Sequence, residues 1–497
     1  MDRNIKHFYT QMLSNIMEYD AVFYKHYDEI HSYEDLYSRI CLFNFHLAGL
    51  RREVIGVYAD KAFDSYACIY SIILSDNIWL PLSMDIPPER NCSIIDSSHP
   101  TLVFYNGNLP REIKSKLDTK DITYISFSDL NFFSKNSEFL LDQFHQDDIA
   151  YIMFTSGSTG TPKGVPMTHL NYINFVRNIL EILPLKKGEV FSDFHDFAFD
   201  ISIFYLFSVL FVEGAISPII EQKDKIIPLD HITKNNVTVW ASVPSVISRI
   251  MQLFRGKWLT TQKQKIATNI NVMFLCGEPL KLEVMDYCFQ QMKLKNVYNF
   301  YGLTETGVEN FFYKCSPEDS IKFKKYGMVP IGKALPGNEV MISDEKELLI
   351  GGCQITPGYL NGVMKEKFLN IESKVWFKSG DIVEVYNDLY FCKGRMDLQI
   401  KINGHRVELL DIEANIMEYI KGVRQVICIT KEFSNRQIII AGLVSDTELE
   451  ADIIQNELSK HLPRYMIPQV IRYFSEFPIN SNGKLDRRLI ADLISCS

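Results

Sequence analysis

The 497-residue chain contains no Cys-x-x-C pair and no His-rich tract, so its ten cysteines, at positions 41, 68, 92, 276, 288, 315, 353, 392, 428 and 496, match neither a zinc spacing nor a disulfide framework. That usage suits a reducing compartment. No long hydrophobic run is present. The most apolar stretch, Ile201–Val212, is closed by Asp200 and Glu213 and falls short of the ~20 residues that a bilayer-crossing helix requires. It reads as a buried helix, and no membrane span is expected. The N-terminus, MDRNIKHFYTQMLSN, carries charges and His where a secretory signal would need an unbroken apolar stretch, so a cytoplasmic location is expected. Positive charge is also short: 52 Lys and Arg face 61 Asp and Glu, a net of −9. That balance offers no basic field to a phosphate backbone, and nucleic acid is not an expected partner.

What is present is ordinary core material, 46% apolar and 12% aromatic. Short runs rich in Val, Ile and Phe, such as Val54–Tyr58, Thr101–Tyr105, Val237–Ala241 and Val272–Cys276, alternate with helical patterns at Tyr33–Leu47, Phe63–Ser75 and Leu280–Lys293. That rhythm predicts an α/β fold with helical crossovers between parallel strands. Near residue 394 the texture changes. A charged, alternating stretch, Gln399–Glu408, precedes an amphipathic Leu409–Ile420, strand-like Gln425–Thr430 and Gln437–Val444, and a helix-like Glu448–His461. The division expected is a large unit over residues 1–396 and a small α+β unit over 397–497, joined by a short hinge.

The sharpest local feature runs from Phe154 to Gly164, F-T-S-G-S-T-G-T-P-K-G, directly after the strand-like Ile149–Phe154. Glycines permit positive φ and close backbone approach, so consecutive N–H groups can form a concave nest for an anion; Ser and Thr add donors and Lys163 adds charge. Pro162 stands where a Walker loop needs its second glycine, which disfavours a P-loop NTPase.

This loop resembles that of the adenylate-forming superfamily, which includes the adenylation domains of non-ribosomal peptide synthetases, acyl-CoA synthetases and luciferases. Further stations follow in the expected order: Ser32–Leu36, Leu80-Pro81-Leu82 with Pro88-Glu89-Arg90, Asn299–Thr306 (N-F-Y-G-L-T-E-T), Ser379-Gly380-Asp381, Gly394-Arg395-Met396-Asp397, Leu462–Pro468 and Asn482-Gly483-Lys484-Leu485-Asp486. The resemblance implies ATP and Mg²⁺ as the reaction's partners. It places Thr155, Ser156, Gly157, Ser158, Thr159, Gly160 and Lys163 on the phosphates, Thr304 on the α-phosphate and Glu305 on Mg²⁺. Tyr301 would stack on adenine beside Asn299, Gly277, Glu278 and Pro279 would line the purine, and Asp381 with Arg395 would hold the ribose. Lys484 would bridge the α-phosphate and the substrate carboxylate. Such a carboxylate is already ionised, so the chemistry needs alignment of two anions and no dedicated base.

The stretch Phe197-Ala198-Phe199-Asp200-Ile201-Ser202 is similar to the F-x-F-D-x-S element of amino-acid-activating members, in which the Asp pairs with the α-ammonium. Val237–Ser245 and Phe274–Glu278 resemble D-alanine:carrier-protein ligases, implying loading of a separate phosphopantetheinylated carrier protein. By motif position the pocket would comprise Asp200, Ile201, Phe204, Ala241, Phe274, Cys276, Phe300, Val308 and Glu309. The bulky Phe274 and Phe300 point to a small side chain. Glu309 stands where a small apolar residue is usual, and favours a polar or basic substrate if it faces inward. Rotation about Asp397 would withdraw Lys484 and present Leu398–Glu408, with Gly404 lining a pantetheine tunnel. The alternatives are an acyl- or aryl-CoA ligase of the same superfamily and a non-catalytic scaffold, the latter opposed by the intact Lys163, Glu305, Asp381 and Lys484.

Overall fold

The Val/Ile/Phe runs become strands because β-branched and aromatic side chains suit a pleated surface that is buried on both faces. Val54–Tyr58 is a strand from end to end, and Leu102–Tyr105, Val239–Ser242 and Val272–Leu275 begin and end within a residue or two of the predicted runs. The computed structural model describes residues 2–130, 139–156, 162–253, 269–396, 399–402, 404–433, 436–478 and 487–496.

Two large sheets dominate. The first has nine strands, Lys333–Ala334, Phe311–Lys314, Val297–Tyr301, Val272–Leu275, Val239–Ser242, Val190–Asp193, Ala215–Pro218, Val22–His26 and Glu29–Ser32 in spatial order, parallel in the middle and antiparallel at both edges. The second has six, ordered Thr123–Ser126, Leu102–Tyr105, Val54–Tyr58, Ile78–Leu82, Ile149–Thr155 and Lys163–Thr168, and only its last pair is antiparallel. One continuous core draws on both sheets and on the helices between them. Phe63–Leu74 is buried at every position except Asp64, the pattern of a helix covered on all sides. Ser32 starts the preceding helix, Tyr33–His46, through a capping box with Asp35. The expected buried helix is Ser202–Ser208, continued by a 3₁₀ turn over Val209–Phe211.

A third, five-stranded sheet is built on the long strand Lys374–Tyr386, which pairs with Leu389–Arg395. Beyond it lie the hairpin Gln399–Ile402 and His405–Glu408, the helix Leu409–Tyr419, and a sheet of Val423–Phe433, Arg436–Ser445 and Val470–Tyr473. These close over their own core, which includes Ile402, Val407, Ile412, Ile439 and Met466. The predicted helix at Glu448–His461 is shorter, Ala451–Leu458, and Leu280–Lys293 shrinks to Leu282–Gln290. Among the described residues no disulfide forms, and no helix is long and apolar enough to cross a membrane.

Candidate active site

Parallel strands deliver their C-terminal ends to one crevice, the usual ligand position in such sheets. Thr155, ending one strand, is in register with Lys163, which begins its antiparallel partner. Gly157, Ser158, Thr159 and Gly160, between them, lie outside the described residues, as do the expected hinge Asp397 and the expected catalytic Lys484. Asp381 and Arg395 face each other across the Lys374–Tyr386 and Leu389–Arg395 pair. There the Tyr301 hydroxyl donates to Asp381 Oδ2 at 2.5 Å and Arg395 Nη1 donates to Asp381 Oδ1 at 3.0 Å. The expected adenine and ribose residues are thus joined through one carboxylate. Asn299 is buried and donates from Nδ2 to Pro330 O at 2.8 Å.

A cavity of about 110 Å³ opens beside them. Asp200, Ile201, Cys276, Val308 and Glu309 line it from the expected pocket set, with Thr155, Ser156, Gly277 and Thr304 from the nucleotide set. Phe204, Ala241, Phe274 and Phe300 are fully or almost fully buried and do not line it. The three Phe rings instead form a stacked column, with centroids 4.5 Å apart for Phe204–Phe274 and 3.9 Å apart for Phe274–Phe300. The Thr304 hydroxyl donates to Asp200 Oδ2 at 2.6 Å. Desolvation pushes the Asp200 carboxyl above its ordinary value, with the Thr304 hydroxyl and the charge of Lys401 acting against it. Glu309 turns inward, and burial together with repulsion from Asp200 raises it to about 8.

The hairpin from Gln399 to Glu408 reaches into this same crevice. Arg406 Nη1 donates to Glu305 Oε2 at 2.6 Å, and the Tyr359 hydroxyl donates to Glu305 Oε1 at 2.5 Å. Burial alone would raise Glu305, but Arg406 and Tyr359 outweigh it and hold the carboxyl below its usual value. Glu408 stands 3.8 Å from Lys163 Nζ, and the Ser156 hydroxyl donates to Arg406 O at 3.2 Å. Burial lowers Lys163, with Glu408 acting against it. Arg406 and Glu408 therefore stand on the residues expected to hold a metal and phosphates. Lys401 and His405 line the cavity from the same hairpin.

Gly404 sits at the hairpin's tip with φ +82°. A Cβ there would fall 2.4 Å from Val243 Cγ1, so only glycine fits this approach. Its N–H donates at 2.8 Å to Glu278, whose carboxylate also accepts from Ser245 N at 2.8 Å and Ser245 Oγ at 3.0 Å. Glu278 thus bridges Ser245 and the hairpin, while Pro279 is exposed. Arg406, Glu408, Lys401 and Tyr359 were outside the sequence-derived set. For the three hairpin residues the one signal was the alternation of charge through Gln399–Glu408, which a hairpin converts into a charged face; Tyr359 had none.

Glu305 offers a hard oxygen that already faces a cation, which fits Mg²⁺. Among the described residues no group of three or more His, Cys, Asp or Glu is placed to hold a metal ion. The remaining ligands would be phosphate oxygens and waters, as this ion prefers.

Residues 14–360 match the family described as AMP-binding enzyme. Curated relatives include the D-alanine--D-alanyl carrier protein ligases of Lacticaseibacillus casei (strain BL23), 29% identical over 477 aligned positions and covering 89% of each chain, and of Staphylococcus epidermidis, 28% identical with 84% of each chain covered. Among solved structures, the Vibrio cholerae adenylation domain AlmE in complex with glycyl-adenosine-5'-phosphate superposes with a TM-score of 0.81 at 20% identity, over 98% of this chain and 97% of that one. The amide bond synthetase McbA from Marinactinospora thermotolerans superposes at 0.82 and 16%, covering 97% and 99%. At these identities the two structures speak for the fold alone.

Proposed function

The chain belongs to the AMP-binding enzyme family, and from that premise we propose that it activates an α-amino acid as its aminoacyl adenylate and then loads the aminoacyl group onto the phosphopantetheine thiol of a separate carrier protein. Asp200 carries the amino acid half of this reading. A half-buried carboxylate in the substrate cavity, with a hydroxyl on one oxygen and its acidity depressed by desolvation, is suited to receive an ammonium; a fatty or aryl acid brings none. The names of the curated relatives support the carrier half.

In the first step a carboxylate oxygen of the amino acid attacks the α-phosphorus of ATP and pyrophosphate leaves. Lys163 and Ser156, with the loop between them, would hold the β- and γ-phosphates. Tyr301, Asp381 and Arg395 would fix the nucleoside, and Thr304, hydrogen-bonded to Asp200, would contact the α-phosphate. Lys484 would join the two anions it must bring together. Mg²⁺ on Glu305 would neutralise charge spreading over the phosphoryl oxygens. In the second step the carrier's thiolate sulfur attacks the acyl carbon and AMP leaves.

The two steps would use different placements of residues 397–497 on residues 1–396, pivoting at Asp397. The arrangement described here suits the second. Arg406 and Glu408 engage the triphosphate residues, and Gly404 meets Gly277 and Val243 where an arm would enter. We place the enzyme in the cytoplasm, where ATP and reduced thiols are supplied.

The test is substrate-dependent ATP–pyrophosphate exchange over the twenty amino acids, D-alanine and several aryl and fatty acids, followed by loading of a phosphopantetheinylated carrier. Exchange and carrier loading with amino acids are expected. Exchange only with aryl or fatty acids, or transfer to free CoA in preference to a carrier, would overturn the proposal.

A further inference from the structure

Two carboxylates share the substrate cavity, and a single α-ammonium answers only one of them. Glu309, which lines the cavity, is 4% exposed, and its Oε2 has no hydrogen-bond partner among the described residues. The Cys276 thiol hydrogen-bonds this carboxylate, but a buried acid needs more than one weak donor. Asp200, by contrast, already accepts from Thr304.

The backbone is arranged to hold Glu309 in this position. Val308, a β-branched residue, adopts φ 71°, a strained conformation for that side chain. Gly302 leaves the space this turn occupies: a Cβ there would lie 2.1 Å from Val308 O and 2.4 Å from Glu309 Cα. Gln354 Nε2 donates to Glu309 O at 2.9 Å and to Gly307 O at 2.8 Å, and Asn310 N donates to Tyr301 O at 2.8 Å. The carboxylate is therefore pinned from behind. The cavity of about 110 Å³ and the neighbouring Phe column keep whatever meets it short.

Resting on the amino acid reading above, we propose that the substrate is a compact amino acid whose side chain ends in a hydrogen-bond donor, an ammonium or a hydroxyl within a few bonds of Cα, and that Glu309 receives that donor while Asp200 receives the α-ammonium. An ammonium matches best, because two cations against two carboxylates leave the closed pocket neutral. Lys401, whose charge both carboxylates feel in the present arrangement, belongs to the hairpin and withdraws with it.

The decisive measurement is ATP–pyrophosphate exchange by the full chain with 2,3-diaminopropionate, 2,4-diaminobutyrate, serine and homoserine, against alanine, 2-aminobutyrate and glycine, using both stereoisomers where they exist. A site with a buried unpaired acceptor should favour donor-bearing acids over apolar ones of equal size by on the order of 10²-fold in kcat/KM. Glu309→Val should bring that ratio to one or below. Glu309→Gln, which keeps an acceptor oxygen without charge, should retain hydroxyl acids and lose ammonium acids, separating the two donors. Alanine, 2-aminobutyrate or glycine as the best substrate of the unaltered chain would overturn this assignment and leave amino acid activation standing. Exchange with no amino acid at all would overturn the reading beneath it.

Discussion

Replacing Arg406 with Met should release the triphosphate site. Arg406 and Glu305 approach to 2.6 Å with side chains 15% and 0% exposed, and no other cation among the described residues forms an ion pair with that carboxylate. Removing one partner of such a pair typically costs about 3–5 kcal/mol while the other stays ionised and buried. The chain can avoid that cost by letting the hairpin leave, because the pair joins two parts of the molecule that the proposed mechanism separates. If about 3 kcal/mol falls on the docked arrangement, its population relative to the undocked one drops on the order of 10²-fold. Where the docked form dominates without nucleotide, the apparent affinity for Mg·ATP then rises by up to the same factor, since a larger fraction is competent to bind. Calorimetric titration of Arg406→Met with Mg·ATP, without amino acid, reads this directly. Energy transfer between labels on exposed residues of the two units reads the arrangement independently. Arg406→Lys, which keeps charge but not the guanidinium fork, should fall between the two. Unchanged Mg·ATP affinity together with an unchanged label distance would refute the view that Arg406 competes for the metal's carboxylate.

The same logic separates the two half-reactions. Gly404→Ala adds a left-handed backbone penalty of about 1 kcal/mol to a contact 2.4 Å from Val243, so transfer from a supplied adenylate should slow while pyrophosphate exchange persists; equal loss of both would contradict this. Lys484→Ala should show the reverse, with exchange lost and transfer from supplied adenylate largely spared. Asp200→Ala should lower amino acid exchange by on the order of 10²-fold through loss of a partly desolvated ionic hydrogen bond, and an unchanged substrate profile would remove its ammonium-pairing role. Glu309 is raised from 4.5 to about 8, so the folded state holds its proton more tightly than the unfolded chain does. Its contribution to stability is therefore fully present below about pH 4.5 and lost as pH rises toward 8, and Glu309→Gln should flatten the fall in Tm across that window.

The local chemistry of this protein was legible in the chain order. Apolar runs of four to seven residues between helical patterns determined an α/β fold, because strand and helix periodicity are properties of neighbouring residues. The expectation of an anion site in the hydroxyl- and glycine-rich segment after Ile149–Thr155 is local for the same reason, since a nest is made by consecutive N–H groups. What remained for the tertiary structure were contacts whose partners lie far apart in sequence. Tyr301 meets Asp381 across 80 positions and Arg406 meets Glu305 across 101. Strand order and the docking of the hairpin decide such pairings, and no local pattern encodes either. The orientation of Glu309 belongs to the same class. Its sequence position allowed an inward or an outward side chain; the positive φ of Val308, the space left by Gly302 and the grip of Gln354 selected the inward one, because backbone geometry is set by everything packed around the turn.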